Sequence, residues 1–462
     1  MRAWNVTLSM AICLAASVGW AEKVELRGTV VTWEGKPAAK AEVHLVRIQS
    51  AQPEVVVAKS VNADEGGRFA FEDIELPDPE QSRRSLVQII ACAEGNSLEW
   101  VSPQAGDPKN LKIKLGKPGT FRGRVKDGTG RPVEGATVRL SVVSRQQTEL
   151  RVFPHQPFFT QELMDHWAAQ TDNDGLFTLW RAGADTSPGA WIRKDGFCSA
   201  NVHWQDPATG VEVVLRKAGT IRGQIRCGDP TVSLTDVKVA YLPSVEARTG
   251  LESYWRRGKS VTDAQGNFTL EEVPPGKVRV NIAPAPTSEW QAGDDKVVEL
   301  AEGQTVENVV LEMKRGTKVT GRALDADTGK AIAEVRIYAH DGTHYRYSGE
   351  WPRTDAEGRY FFYVRPGKIE VRVTDPPPGY LPPPWDARKE MTVREGQEVV
   401  VPDFRLKKAG IVRGMVVDQA GLPVLSAVVT YTGQEFGQDM GFPTNFKGTF
   451  RLEWLDPDRP IT

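Results

Sequence analysis

The chain has 462 residues, 40% apolar and 26% charged, and a formal net charge of −2. That length exceeds one ordinary core and predicts about three to five domains. The near-neutral balance, without a basic stripe, makes nucleic acid and anionic membrane surfaces poor partners, and the 43 glycines and 31 prolines fall as punctuation between apolar runs, unlike a low-complexity chain.

The first predicted element is an export signal. Arg2 supplies a positive start, LSMAICLAASV (Leu8–Val18) is a short apolar core, and Gly19-Trp20-Ala21 offers small residues at −3 and −1 of a cleavage site. The pattern reads as a secretory signal peptide over 1–21, cut after Ala21. Its apolar run is shorter than the roughly 20 residues a spanning helix needs. Ile12 is too bulky, directly before Cys13, for lipoprotein processing. No later segment is apolar enough to span, so the expectation is an exported protein, secreted or periplasmic at the cell envelope, with no transmembrane segment after cleavage. Of the remaining cysteines, Cys92 lies in the apolar run Val87–Ala93 and reads as a buried small hydrophobe. Cys198 and Cys227 are candidates for a bridge across a domain junction, and at least one of the three stays unpaired.

Beyond the signal the chain repeats itself. One phrase runs RGTVVTWEGKPAAKAEVHLV (Arg27–Val46), RGRVKDGTGRPVEGATVRLS (Arg122–Ser141), RGQIRCGDPTVSLTDVKVAY (Arg222–Tyr241), TGRALDADTGKAIAEVRIYA (Thr320–Ala339) and RGMVVDQAGLPVLSAVVTYT (Arg413–Thr432). Its glycines, Gly28, Gly123, Gly223, Gly321 and Gly414, recur at the interval of one small domain. A second phrase, D/N-x-x-G-x-[FY], follows each copy with its pairs Asp64 and Gly67, Asp172 and Gly175, Asp263 and Gly266, Asp355 and Gly358, Asn445 and Gly448.

Each repeat reads as all-β. V-x-D-x-x-G-x-P is a strand running into a turn, and A-x-V-x-L/V alternates with period two, burying one face. In the second phrase the Asp or Asn side chain accepts a backbone N–H two residues on, closing an Asx-turn. Gly takes the left-handed conformation, and the aromatic points into the core as a strand begins. PPGK (Pro274–Lys277) and RPGK (Arg365–Lys368) mark further tight turns. One helix is predicted, over TQELMDHWAAQ (Thr160–Gln170), with Thr160 as N-cap. The predicted division is 22–117, 118–217 with the helical insertion, 218–315, 316–408, and a partial module at 409–462.

The motif G-x-V-x-D-x-x-G-x-P-[VAL]-x-x-A-x-V, followed by T-D-x-x-G-x-[FY], resembles the carboxypeptidase regulatory-like domain family. The resemblance covers nearly all of the mature chain, good in repeats two and four and fair in one. It is weaker in three, where CGDPTVSLTD (Cys227–Asp236) departs from the Gly-x-Pro turn. It implies a tandem array of transthyretin-like (prealbumin-like) seven-stranded β-sandwich modules, one of the carbohydrate-binding-like folds, common in exported bacterial proteins. Repeat five matches at its start and reaches RLEWLDPDRPIT (Arg451–Thr462) before its later strands, so its sandwich is incomplete with open edges. Either the chain is a fragment, or something else completes that sheet.

Members of that family accompany zinc peptidases without being catalytic themselves. None of His44, His155, His166, His203, His340 and His344 is followed by Glu at the third position, and no HExxH is present. In DNDG (Asp172–Gly175) the residues between Asp and Gly differ from copy to copy, which favours a turn over a calcium site. His340 and His344 flank a glycine and read as solvated loop residues. On the predicted helix Glu162 and His166 share a face, beside His155 and Asp165, without an obvious third ligand. No catalytic residue, metal or cofactor is expected. Trp167, Trp255, Trp351 and Trp385 stand near loop ends and are candidates for a sugar or protein contact, or for caps on the sandwich edge. The expectation is an exported non-catalytic binding or scaffold protein of the envelope, with polysaccharide or other envelope proteins as partners. The alternative is an accessory region of a longer exported enzyme or envelope protein.

Overall fold

The structure, a computed structural model, describes residues 20–49, 54–77, 86–103, 110–145, 151–152, 159–204, 209–243, 259–340, 351–384, 387–424, 427–431, 440–444 and 448–460. The export signal up to residue 19, His155, Trp255, His344, Trp385 and Asn445 lie outside the described residues. No described helix is long and apolar enough to cross a membrane.

The fold is all-β, a tandem series of β-sandwich modules. Two compact units divide the chain, one of Met1–Gly119 with Pro157–His166 and Trp180–Asp185, the other of the remainder. Within unit one, Trp20–Val31 is the central strand of a three-stranded sheet, antiparallel to Arg68–Pro77 and parallel to Asn110–Lys114. The facing sheet runs Glu54–Asn62, Glu42–Gln49, Leu86–Cys92, Glu99–Val101. Between them Leu26, Val30, Val43, Leu45, Phe71, Ile74, Ile89 and Ile113 form a core almost without solvent contact. Each such side chain contributes about 1.5–3 kcal/mol by its removal from water.

Unit two repeats this plan. Its lead strands are Phe121–Asp127, Gly219–Cys227, Thr317–Asp325 and Gly410–Met415. The first three each lie between an antiparallel partner (Leu176–Leu179, Asn267–Val273, Arg359–Val364) and a parallel closing strand. The closing strands are Val211–Leu215, Thr305–Arg315, and the pair Val399–Val400 and Phe404–Leu406. In repeat two the second sheet is Ala169–Gln170, Thr137–Arg145, Thr186–Arg193, Ala200–His203. Trp204 packs edge-on to Phe121 and Phe177, ring centroids 6.0 Å away in both cases. Repeats three and four enclose their own cores, around Ile221, Val280 and Leu311, and around Val319, Phe362 and Val371. In repeat five Gly410–Met415 pairs with Thr449–Leu455, and Val428–Val429 with Met440–Pro443.

The second phrase is a turn into a strand that crosses from one sheet to the other. Glu54–Asn62 belongs to one sheet and Arg68–Pro77 to the other, and Lys259–Val261 and Asn267–Val273 are related in the same way. PPGK and RPGK cross back, from Asn267–Val273 to Gly276–Ile282 and from Arg359–Val364 to Gly367–Asp375. The glycine of each crossing has two constraints. Its φ is +67° to +78° in all five copies, and a Cβ there would stand 2.2–2.7 Å from a lead-strand carbonyl oxygen.

The glycine of the first phrase serves the aromatic of the second. Gly28 pairs with Phe69, Gly123 with Phe177, Gly223 with Phe268, Gly321 with Tyr360 and Gly414 with Phe450. A Cβ on the glycine would lie 2.3–2.6 Å from that aromatic side chain in every copy. The aromatic covers the bare backbone, so neither residue can change alone.

The insertion departs from expectation. The helix is Gln161–His166, shorter than predicted, although Thr160 caps it as expected, its hydroxyl oxygen accepting the Leu163 N–H at 3.1 Å. The chain leaves the helix because Ala169 and Gln170 pair with Val138 and Thr137 at a sheet edge. The helix itself falls in unit one, with Leu163 and Met164 buried. Residues 180–185 join it there, where the Arg181 carbonyl accepts the Leu98 N–H at 2.8 Å.

Candidate functional site

The repeated acidic turns spend their oxygens on the backbone. Oδ1 of Asp172 accepts the N–H groups of Asp174 (3.0 Å) and Leu176 (2.7 Å). Asp64, Asp263 and Asp355 accept from the equivalent pairs at 2.8–3.0 Å. The Asn267 side chain and then its N–H hold the Asp263 carboxyl below the usual range, and the Arg359 N–H does the same for Asp355. The threonine before the turn is equally committed. Thr171 accepts the Ala136 N–H at 2.8 Å and donates to the Val133 carbonyl at 2.7 Å. Thr354 accepts from Val335 at 2.9 Å and donates to Ile332 at 2.7 Å. Among the described residues no group of three His, Cys, Asp or Glu side chains is arranged to hold a metal ion.

Unit one gathers the chemistry-bearing residues that the sequence scattered. Glu42 Oε2 lies 3.0 Å from His166 Nε2 and 3.4 Å from His44 Nε2, while His44 Nδ1 meets Ser60 Oγ at 2.8 Å. Arg181 stands between Glu42 Oε1 (3.6 Å) and Cys92 Sγ (3.1 Å). Burial pushes the Cys92 thiol up to about 12, against the opposing pull of Arg181. A thiol held protonated is neither a nucleophile nor a metal ligand at neutral pH. The guanidinium already neutralises the carboxylate, so the cluster ties the helix to the sheet. Cys92, Cys198 and Cys227 are free thiols; Cys198 donates to the Glu272 carbonyl at 3.7 Å, so the bridge to Cys227 is not made.

Of the four tryptophans singled out, two are described. Trp167 is buried, and so presents no platform to a ligand. Trp351 is half-buried, its ring 4.6 Å from that of Tyr338, over which Arg372 Cζ also lies, 4.5 Å from the ring centroid. Among the described residues the exposed tryptophans are Trp33, Trp180 and Trp191. Trp191 lies between the buried Ala190 and Ile192 on Thr186–Arg193, so the period-two alternation of GAWIR places it outward. Across the sheet it pairs with Arg139 on one side and Asn201 on the other. Asn201 Oδ1 is buried and has no hydrogen-bond partner among the described residues. Position for position, Tyr338 and Arg372 of repeat four match Arg139 and Trp191 of repeat two with aromatic and cation exchanged. Repeat three has Ala240 and Asn281 there.

No family model and no curated protein matches the chain. Among solved structures, the TIE protein of Bacillus anthracis is 12% identical over 80% of this chain and 69% of its own, with a TM-score of 0.19. The shaft pilin SpaA of Lactobacillus rhamnosus GG aligns over 42% of this chain and 97% of its own at 13% identity and TM-score 0.18. GBS52, the minor pilin of Streptococcus agalactiae, aligns over 41% and 95% at 17% identity and TM-score 0.20. Scores at that level carry no argument about function. The β-sandwich assignment rests on the chain's own sheets.

Proposed function

We propose that this chain is an exported, non-catalytic array of carboxypeptidase regulatory-like modules, divided at 22–117, 118–217, 218–315, 316–408 and 409–462, that binds an envelope polysaccharide through outward sheet faces. The observation that carries the reading is Trp191, exposed on repeat two between Arg139 and Asn201. A flat aromatic stacks on the apolar face of a sugar ring, while a neighbouring guanidinium donates to its hydroxyls. The resemblance of the repeat motif and the export signal support the compartment. The repeated turn chemistry supports the lack of catalysis, because an oxygen of each turn carboxylate is engaged by backbone N–H groups.

The test is a glycan array and a polysaccharide pull-down with the intact chain and with Trp191→Ala, Arg139→Ala and Trp351→Ala. Polysaccharide retained by the intact chain and reduced at least roughly tenfold by Trp191→Ala supports the reading, since base or ring stacking losses on truncation are of that order. No retention by the intact chain, or retention unchanged in Trp191→Ala, overturns it.

A further inference from the structure

Each of repeats one to four ends in a joint built from the same three parts: a loop of its own second sheet, the linker leading out, and the far end of the strand that follows the second phrase in the next repeat. At the first joint of unit two the Cys198 N–H donates to the Arg216 carbonyl at 2.8 Å, and the Ala218 N–H to Gly196 at 2.9 Å. Onto that loop comes Glu272, at the far end of Asn267–Val273. Its carboxylate meets Arg193 at 2.5 Å and accepts the Ser199 hydroxyl at 3.3 Å. Its carbonyl accepts the Tyr241 hydroxyl at 2.8 Å and the Cys198 thiol at 3.7 Å. Glu272 holds φ +54° at a bulge, as Asp73 and Trp454 do at the same place, four residues after the aromatic of the second phrase. The bulge belongs to the fold, and the joint uses the direction in which it turns the residue.

The second joint has the Gly316 N–H on the Glu289 carbonyl at 2.6 Å. From repeat four the Tyr363 N–H reaches the Pro286 carbonyl at 2.8 Å and Arg365 Nη1 the Gly293 carbonyl at 2.7 Å. Gly316 is enclosed between the two repeats: a Cβ there would stand 2.5 Å from Gln291 Cγ and 3.2 Å from Tyr363 Cβ. At the third joint the Leu381 N–H donates to Lys407 at 2.9 Å and the Ala409 N–H to Gly379 at 2.8 Å, while Lys407 Nζ meets Asp456 of repeat five at 2.5 Å. Unit one carries the same parts, with the Ser97 N–H on the Gly116 carbonyl at 3.1 Å and the Leu98 N–H on the Arg181 carbonyl at 2.8 Å. A linker that is only a tether leaves its polar groups to water and its neighbours free to turn. These linkers are bonded to the repeat before, and the repeat after closes on the same loop. The closing residues differ, Glu272, then Tyr363 with Arg365, then Asp456, yet all stand at one place in the fold.

We propose that these joints fix each repeat of unit two against the next, so that repeats two to five act as a stiff spacer, with Glu272 locking the first joint. A stiff spacer keeps a binding face at a set distance and direction from its neighbours. That role stands whether or not repeat two binds polysaccharide.

The test combines residual dipolar couplings with amide hydrogen exchange on the full chain. Couplings from repeats two, three and four should fit one alignment tensor. The Cys198, Ala218, Gly316, Tyr363 and Leu381 amides should exchange at least roughly tenfold more slowly than free amides. In Glu272→Ala the amides of Cys198 and Ala218 should lose protection by roughly tenfold, and repeats two and three should part into separate tensors, while amides 278–280 in the core of repeat three keep their protection. Gly316→Ala should do the same between repeats three and four. Glu272→Gly removes the same side chain while relieving the left-handed backbone, and replaces the alanine variant if that one loses its core. Separate tensors in the intact chain overturn the proposal, as do joint amides that exchange like free ones. A Glu272 variant that keeps its core and shows unchanged tensor and protection overturns the part given to Glu272.

Discussion

Gly175 and Gly130 offer a controlled separation of backbone strain from collision. Both lie in turns of repeat two with left-handed backbone, φ +74° and +86°. An alanine at either position must adopt that conformation, at about 1–2 kcal/mol. At Gly130 the added Cβ meets nothing within 4 Å, so strain is the whole cost. At Gly175 it would lie 2.2 Å from the Val125 carbonyl oxygen and 3.3 Å from Pro132 Cβ. That oxygen accepts the Val133 N–H at 3.0 Å, and Val125 is itself fully buried, so relief requires moving the lead strand. The further cost is that of overpacking, about 1–3 kcal/mol. Gly175→Ala should therefore lose about 2–5 kcal/mol and Gly130→Ala about 1–2 kcal/mol. A chain of several sandwiches does not unfold in one step, so the assay is the opening free energy of amides 121–127 and 176–179 by native-state hydrogen exchange. Equal losses in the two variants, within about 0.5 kcal/mol, would refute the collision argument.

The remaining predictions concern the other recurring contacts. Gly321→Ala drives a Cβ to 2.3 Å from the Tyr360 hydroxyl; in a double-mutant cycle with Tyr360→Ala the two losses should fall short of additivity by about 1–3 kcal/mol, and simple additivity would break the pairing rule. Thr354→Val leaves the Val335 N–H and Ile332 carbonyl without their buried partner, for a loss of about 2–4 kcal/mol in the opening free energy of amides 317–325 and 359–364 by native-state hydrogen exchange; Thr354→Ser should keep most of that stability, and a serine variant as unstable as valine counts against it. The Thr328 N–H and hydroxyl, aided by the Tyr380 hydroxyl, hold the Asp325 carboxyl down to about 2. Because the folded value is depressed, its contribution is fully present above the ordinary carboxylate value of about 4 and lost as pH falls toward about 2. Asp325→Asn should flatten the stability of repeat four across that window, and an unchanged slope would contradict the assignment. Cys92, buried and with its thiol raised to about 12, should resist iodoacetamide at pH 8 while Cys198 and Cys227 react, until denaturant exposes all three. Labelling of Cys92 in the folded chain at the rate of the others would contradict its burial.

Short-range backbone demands are written within a few residues, and these the sequence determined. An Asp whose oxygen reaches the amides two and four residues on, followed by a glycine at positive φ, needs no distant partner, so D-x-x-G declared a turn into a strand, while only the sheets show that the turn crosses between them. Alternation in LFTL or NFTLEEV likewise declared which side chains face the core, and the structure buries them in that pattern. The fold class was legible for this reason.

Contacts between strands far apart in sequence were not. Gly28 and Phe69 both recur in every copy, and only their register shows that one exists to seat the other. Trp167 and Trp191 look alike as residue types, and the sheet buries the first while leaving the second in solvent. Residues 157–166 and 180–185 belong by sequence to the second repeat and by packing to unit one, because Leu163, Met164 and Arg181 find their partners there. The half-buried Val412 and Val416 carry the same alternation as their fully buried counterparts. Local pattern states which face a side chain takes. Tertiary structure alone states whether anything covers it, since burial depends on a strand contributed from elsewhere.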